Sequence, residues 1–184
     1  MKIVVIGGTN GFEPEVPDGD MLICTGDFSS FAGARGDVER FNDWLGRLPH
    51  RYKIVVPGDR DAWCSYSDRQ AKEVLSNAVV LIDTGVEIEG FRIYGTPWIP
   101  NEISRTEVTG NAFGTMDAYL EMKFNYIPEG LDILVTHCPG DNAILAAAVD
   151  RAGPRLHVCG HGARMYSATD EPVGAAVVVV LEPR

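Results

Sequence analysis

The chain alternates short runs of β-branched and aliphatic residues with longer stretches in which apolar side chains return every three or four positions. KIVVIG, MLICTG, YKIVVPG, AVVLID, FRIYGT, LDILVTH, LHVCG and AAVVVVLE read as strands. Several are apolar without interruption, the pattern of strands buried on both faces. Between them, DVERFNDWLGRL sets Val38, Phe41, Leu45 and Leu48 on one helical stripe, with Asp37 as the expected N-cap and Pro49 as the stop. DRQAKEVLSNA and DNAILAAAVDRAG read as further helices, the second closing at Gly153 and Pro154. GVEIEGFRIYGT alternates and is expected to form an antiparallel hairpin turning at Glu89 and Gly90, and RMYSATDEPVGAAVVVVLE a second hairpin turning between Asp170 and Gly174. Residues from Asn101 to Asn125 show weak periodicity and are expected as a loop bordering a pocket, with Phe113, Tyr119, Phe124 and Tyr126 covering the sheet.

Helices outside a layered sheet system, with hairpins added, define an α/β chain. At 184 residues, 45% apolar and 23% charged, it suits one globular domain spanning 1–184. A net charge of -10 repels nucleic acid polymers and anionic membrane surfaces. A small anionic substrate stays open, because a bound cation reverses the sign of the field inside a pocket. The opening MKIVVIGG is shorter than the core of a secretion signal, and no apolar run approaches a membrane span, so a cytoplasmic protein is expected. Cys24, Cys64, Cys138 and Cys159 contain no C-x-x-C pair and are expected as free thiols. His50 and His157 belong to no motif and are read as surface and core residues respectively.

The chemistry sits where strands end. MLICTGD ends at Gly26 and Asp27, KIVVPGDRD at Gly58, Asp59, Arg60 and Asp61, LDILVTH at His137, and LHVCGHG at Gly160 and His161. Two carboxylates and two imidazoles, Asp27, Asp59, His137 and His161, form a donor set suited to one divalent transition metal such as Mn, Fe or Zn. The glycines before three of these ligands are expected to permit the turns that aim them into one crevice. Taken singly, each of these residues reads as turn or core chemistry; four at four strand ends read as a metal centre. The first strand, VVIGGTNG, offers only small uncharged residues, and it matches neither glycine-rich nucleotide fingerprint.

The order TGD, PGDRD, ILVTHCPG and CGHG, with IYGTPW between, resembles the calcineurin-like metallophosphoesterases over nearly the whole chain, and within them the small single-domain class III phosphodiesterase-like subgroup. The resemblance implies a four-layer αββα sandwich of two mixed sheets flanked by helices. It also implies a phosphoester-hydrolysing site in which Asp27 stands at the bridging position, Asp59 where the family has Asn, and His137 and His161 at the remaining ligands of one cation. Gly8, Asn10 and Ala163 then stand where ligands of a second cation are lost, leaving a degenerate, single-metal site. Asp59 adds a carboxylate that balances a lone divalent cation. Arg60 stands where the family has its leaving-group acid; a guanidinium does not give up a proton but holds a phosphate. Arg60, Asn10 and Asp61 are accordingly the candidate catalytic side chains.

Two functions of different classes follow. One is a metal-dependent phosphoesterase acting on a small phosphate ester or nucleotide, a diester rather than a monoester by resemblance, with Asn10 orienting the attacking water. The other is an inactive protein on the same fold that works as a binding or scaffold module for a protein partner, which calls for an exposed apolar patch.

Overall fold

Alternation of side chains along each strand builds the layers in the computed structural model, which describes residues 1–30, 33–101, 112–161 and 176–182. Strands β1 (Lys2–Ile6), β2 (Met21–Cys24), β3 (Tyr52–Val55) and β4 (Val79–Val80) run parallel, and β11 (Ala176–Val180) closes the sheet antiparallel to β1, in the order β11-β1-β2-β3-β4. A second sheet has the order β10-β9-β6-β5, from β5 (Thr84–Ile88), β6 (Phe91–Thr96), β9 (Ile133–Thr136) and β10 (Leu156–Cys159), with β5 alone antiparallel to its neighbour. A short parallel pair, β7 (Ile99–Pro100) and β8 (Gly114–Thr115), stands apart.

Ile3, Val5, Met21, Ile23 and Ile54 face the other sheet, where Phe91, Ile93, Ile133, Val135, Leu156 and Val158 meet them. The intervening residues Val4, Ile6, Leu22, Cys24 and Val55 face outward onto Val38, Phe41, Trp44 and Leu45 of α1 (Arg35–Arg47). On the far side, Tyr94 and Leu134 pack under Leu120 and Phe124 of α4 (Asp117–Asn125) and under Leu145, Ala148 and Ala152 of α5 (Ala143–Ala152). This is the αββα sandwich, and its doubly buried strands explain the unbroken apolar runs. Emptying one such position, as in Ile23→Ala, costs about 2–5 kcal/mol.

The register fixes where the strands stop. Ile6 pairs with Cys24 and Cys24 with Val55, while Thr96 pairs with Thr136 and Thr136 with Cys159. The loops that follow therefore leave both sheets side by side at one edge. Two short helices, α2 (Ala62–Ser65) and α3 (Asp68–Val74), follow the loop after β3.

The caps follow local chemistry. Asn142 Oδ1 accepts the Leu145 N–H at 3.0 Å, and Gly153 closes α5 in the left-handed conformation at φ 57°. The Glu89–Gly90 turn carries φ of 50° and 80° and joins β5 to β6 as a hairpin. Asp37 is not the N-cap of α1; Ala34 is, and Asp37 lies one turn inside, its Oδ2 accepting the Ala34 N–H at 3.2 Å and the Ser30 hydroxyl at 2.8 Å. Part of the expected loop before Asn125 is α4, which carries apolar residues on both faces: Leu120 and Phe124 inward, Tyr119 and Met122 outward. Phe113 and Phe124 are buried as expected, but Tyr126 is exposed. His50 is buried, with Nε2 3.0 Å from the Pro17 carbonyl, and His157 is only partly covered, with Nε2 3.0 Å from Thr136 Oγ1. The turn of the second expected hairpin, Asp170 to Gly174, lies outside the described residues; its second arm is β11. No helix among the described residues is long and apolar enough to cross a membrane.

Candidate metal centre

Asp27, Asp59 and His137 are brought together at the shared sheet edge, all buried, with one donor atom from each within 4.8 Å of the others. Asp27 follows β2, Asp59 follows β3 and His137 follows β9, so the group straddles the two sheets. The Nε2 of His137 lies 2.9 Å from Asp59 Oδ1 and 3.4 Å from Asp27 Oδ1. His161, after β10, stands at the rim with Nε2 3.8 Å from Asp59 Oδ1 and its ring 5.5 Å from that of His137. Two carboxylates and an imidazole at these separations suit a divalent transition cation; His161, the fourth expected ligand, is not among the residues whose donor atoms gather within 4.8 Å of one another.

The His137 ring is oriented from behind. Its Nδ1 donates to the Thr25 carbonyl at 2.7 Å, which turns Nε2 toward the carboxylates, the arrangement common to metal-binding histidines. Nothing in the residue types marks Thr25 for this role; its carbonyl is delivered by the strand end preceding Gly26.

Close approach makes the glycines necessary. A Cβ on Gly26 would lie 2.6 Å from the Gly58 nitrogen and 2.7 Å from His137 Nδ1, and one on Gly58 would lie 2.6 Å from His137 Cε1. Of the three glycines before ligands, Gly26 alone needs the left-handed conformation, at φ 99°. Two of the expected ligands carry that strain themselves, Asp27 at φ 57° and His161 at φ 75°.

Asp61 is fully buried beneath the centre, and its two oxygens accept the N–H groups of Asp27 at 2.9 Å, Ser29 at 2.9 Å and Gly58 at 2.7 Å. It pins the β2 and β3 loops to each other. Arg60 donates its backbone N–H to Asp27 Oδ1 at 3.2 Å and its guanidinium Nη1 to Asn10 Oδ1 at 2.6 Å. Asn10 is tied in turn: its N–H donates to the Asp27 carbonyl at 2.8 Å, and its Nδ2 to the Gly8 carbonyl. Ala163 lies outside the described residues.

The charges respond to this crowding. Burial raises the Asp27 pKa, with Asp59 adding to the shift, against the pull of His137. Burial also works against ionised Asp59, but the hydrogen bond and charge of His137 outweigh it, so its pKa falls below the usual value. Burial and the neighbouring Asp27 charge push Asp61 up to about 7. His137 loses hydration, yet the two carboxylates dominate and raise it to about 9. All four cysteines are buried free thiols.

No protein-family model matches the chain. It is 35% identical over 185 aligned residues to metallophosphoesterase domain-containing protein 1 of Homo sapiens, covering 80% of this chain and 55% of that protein. It is 33% identical over 190 residues to UPF0046 protein C25E10.12 of Caenorhabditis elegans, covering 85% and 65%, and 30% identical over 220 residues to UPF0046 protein T07D4.2 of the same organism, covering 93% and 53%. The chain thus spans about half to two thirds of the length of these curated relatives.

Proposed function

We propose, from the premise that this chain belongs to the metallophosphoesterase family, that it is a metal-dependent phosphoesterase working with one divalent cation on a small phosphate ester. The observation that carries the reading is the buried convergence of Asp27, Asp59 and His137 on one point. These three side chains, with His161 from the rim, would hold the cation. When bound there, a divalent cation polarises a phosphoryl oxygen and acidifies water. The second-cation position is lost in this reading, since Gly8 supplies no ligand atom and the Asn10 amide is tied to Arg60 and Gly8.

Arg60 supplies the anion-binding charge. Its guanidinium is steadied by Asn10 and offers a planar fork to a phosphate oxygen. Asn10 is therefore assigned a positioning role rather than that of orienting water. Asp61, whose oxygens are occupied by backbone N–H groups, positions the ligand loops. A diester substrate and a cytoplasmic setting complete the reading, the latter supported by four cysteines that remain thiols. Purified protein loaded with Mn and given bis(4-nitrophenyl) phosphate tests it: turnover above an Asp27→Ala control is expected, and none under any divalent metal removes the enzymatic reading.

A second reading, an inactive binding module, has one observation in its favour. Met116, Tyr119, Met122 and Tyr126 follow one outward stripe along α4, each 40% or more exposed. A partner chain that co-purifies with Asp27→Ala protein and is lost on Met122→Glu supports this reading.

A further inference from the structure

Helix α4 sends apolar side chains two ways, and one set is exposed. Leu120 and Phe124 enter the core, while Tyr119, Met122 and Tyr126 stand in solvent, continued by Met116 at the N-cap. At 3.6 residues per turn, Tyr119, Met122 and Tyr126 fall within about 60° of arc, and the stripe from Met116 to Tyr126 is about 15 Å long. Tyrosine and methionine are the residue types that protein contact surfaces enrich. Tyr119 is already held in place, its ring edge-on to that of Trp98 with centroids 5.6 Å apart and 5.4 Å from Lys123 Nζ, so it has little side-chain freedom left to lose on contact.

The charge offered beside this stripe is negative. Asp117 and Glu121 border the same exposed surface beyond Ala118 and Asn125, and Glu129 follows Tyr126 in the next loop; all three are exposed. The neighbouring cations are engaged elsewhere. Lys123 Nζ lies 2.8 Å from Asp83 Oδ2 and 4.3 Å from the centre of the Trp98 ring. The Arg151 guanidinium donates to the Phe124 and Ile127 carbonyls, each at 3.0 Å. An acidic border on a chain of net charge -10 repels a second copy of the same face and an anionic bilayer alike. It attracts a segment that carries apolar and basic residues together.

We propose that the outward face of α4 docks a basic amphipathic helix of a partner protein, its apolar stripe on Tyr119, Met122 and Tyr126 and its Lys or Arg side chains against Asp117 and Glu121. Recognition of this kind uses apolar anchors one and two turns apart, the spacing that α4 presents. The pliant thioether of Met122 fits such a stripe without a preformed pocket. A face of three helical turns is at the small end of specific interfaces, so the contact is reversible, with a Kd of about micromolar. The proposal deepens the binding-module reading by naming the partner's chemistry, yet it does not rest on loss of activity, because α4 supplies no residue to the metal centre.

Fluorescence anisotropy of a labelled helical peptide of leucine and lysine, with leucine at every third or fourth position, tests this on the full chain. The peptide is expected to bind with a Kd of about micromolar, and its counterpart with glutamate in place of lysine is expected not to bind. Met122→Ala and Tyr126→Ala, changes at exposed positions that should leave urea unfolding unmoved, should each weaken binding about tenfold. Glu121→Lys should weaken it too and flatten its dependence on salt. Failure of the leucine and lysine peptide to bind overturns the proposal. So does binding that survives the double variant Met122→Ala, Tyr126→Ala, the mark of general attraction to an acidic chain. Wild-type self-association in sedimentation velocity, or uptake onto phosphatidylcholine vesicles, that the same double variant abolishes gives the face to a second copy or to a bilayer and overturns it as well. Phosphodiester turnover should be unchanged in every variant, so each of these results leaves the phosphoesterase reading standing.

Discussion

His137 Nε2 and Asp59 Oδ1 meet at 2.9 Å across the boundary between the two sheets, from residues 78 positions apart. The contact exists because a parallel strand of each sheet ends at the same edge. Its geometry gives the centre a measurable link between protons and metal. With the carboxylates raising His137 to about 9 from an ordinary 6.5, the metal-free fold gains stability that is fully present below pH 6.5 and is lost as pH rises through about 9. A cation needs the same nitrogen lone pair, so binding should release the proton. Mn affinity is expected to rise with pH, by up to about tenfold per unit below 9. Calorimetry across pH 6.5 to 8.5 in two buffers of different ionisation enthalpy measures both the slope and the proton; a flat affinity refutes the link.

Gly58→Ala should be severe, because the new methyl would lie 2.6 Å from His137 Cε1. Overpacking of this kind costs about 1–3 kcal/mol and should also displace the imidazole. Urea unfolding should show that loss, and the rise in Tm on adding Mn should shrink. Gly153→Ala is the control. It meets nothing within 4 Å and is strained only by its φ of 57°, so it should cost about 1–2 kcal/mol and leave the metal response intact.

The sandwich and the gathering of Asp27, Asp59 and His137 at one edge were legible because both depend on rules that act at short range. Period-two burial reads directly from KIVVI and DILVT, and parallel strands in a common register deliver the residues just beyond them to one edge. Helix α4 was not legible, since apolar residues on both its faces erase the contrast that marks a helix. The glycines were found for a partly mistaken reason: Gly26 needs its φ, whereas the constraint on Gly58 is Asp27 and the His137 ring against it, tertiary contacts that no local pattern encodes. The difference between Asp59, facing the centre, and Asp61, buried under it, also depends on the turn between them, because the two residues are chemically alike.

Asp61→Asn separates clamping from catalysis. An amide offers one oxygen where the carboxylate accepts three N–H groups with two, and its NH2 would oppose a donor. Leaving a buried N–H without its acceptor costs about 1–3 kcal/mol. The variant should unfold at lower urea and bind Mn more weakly, yet at saturating Mn it should recover a large share of the wild-type turnover. A kcat that stays abolished in folded, metal-saturated protein would instead give Asp61 a part in the chemical step.

Arg60 and Asn10 should behave as one unit toward phosphate. The guanidinium reaches Asn10 Oδ1 at 2.6 Å, so Arg60→Ala removes the anion-binding charge, whereas Asn10→Ala only loosens it. A charged hydrogen bond contributes about 1.5–3 kcal/mol, which places the loss of methylphosphonate affinity in Arg60→Ala at roughly tenfold or more. Arg60→Lys keeps the charge without the planar fork and should fall between Arg60→Ala and wild type. Asn10→Ala alone should cost less than Arg60→Ala, and in the Arg60→Ala background it should cost nothing further, a coupling that a double-mutant cycle measures. One Mn per chain is expected in the wild type and in all four variants. If Asn10→Ala weakens binding equally with and without the guanidinium, the amide acts on the ligand by itself, and its positioning role is wrong.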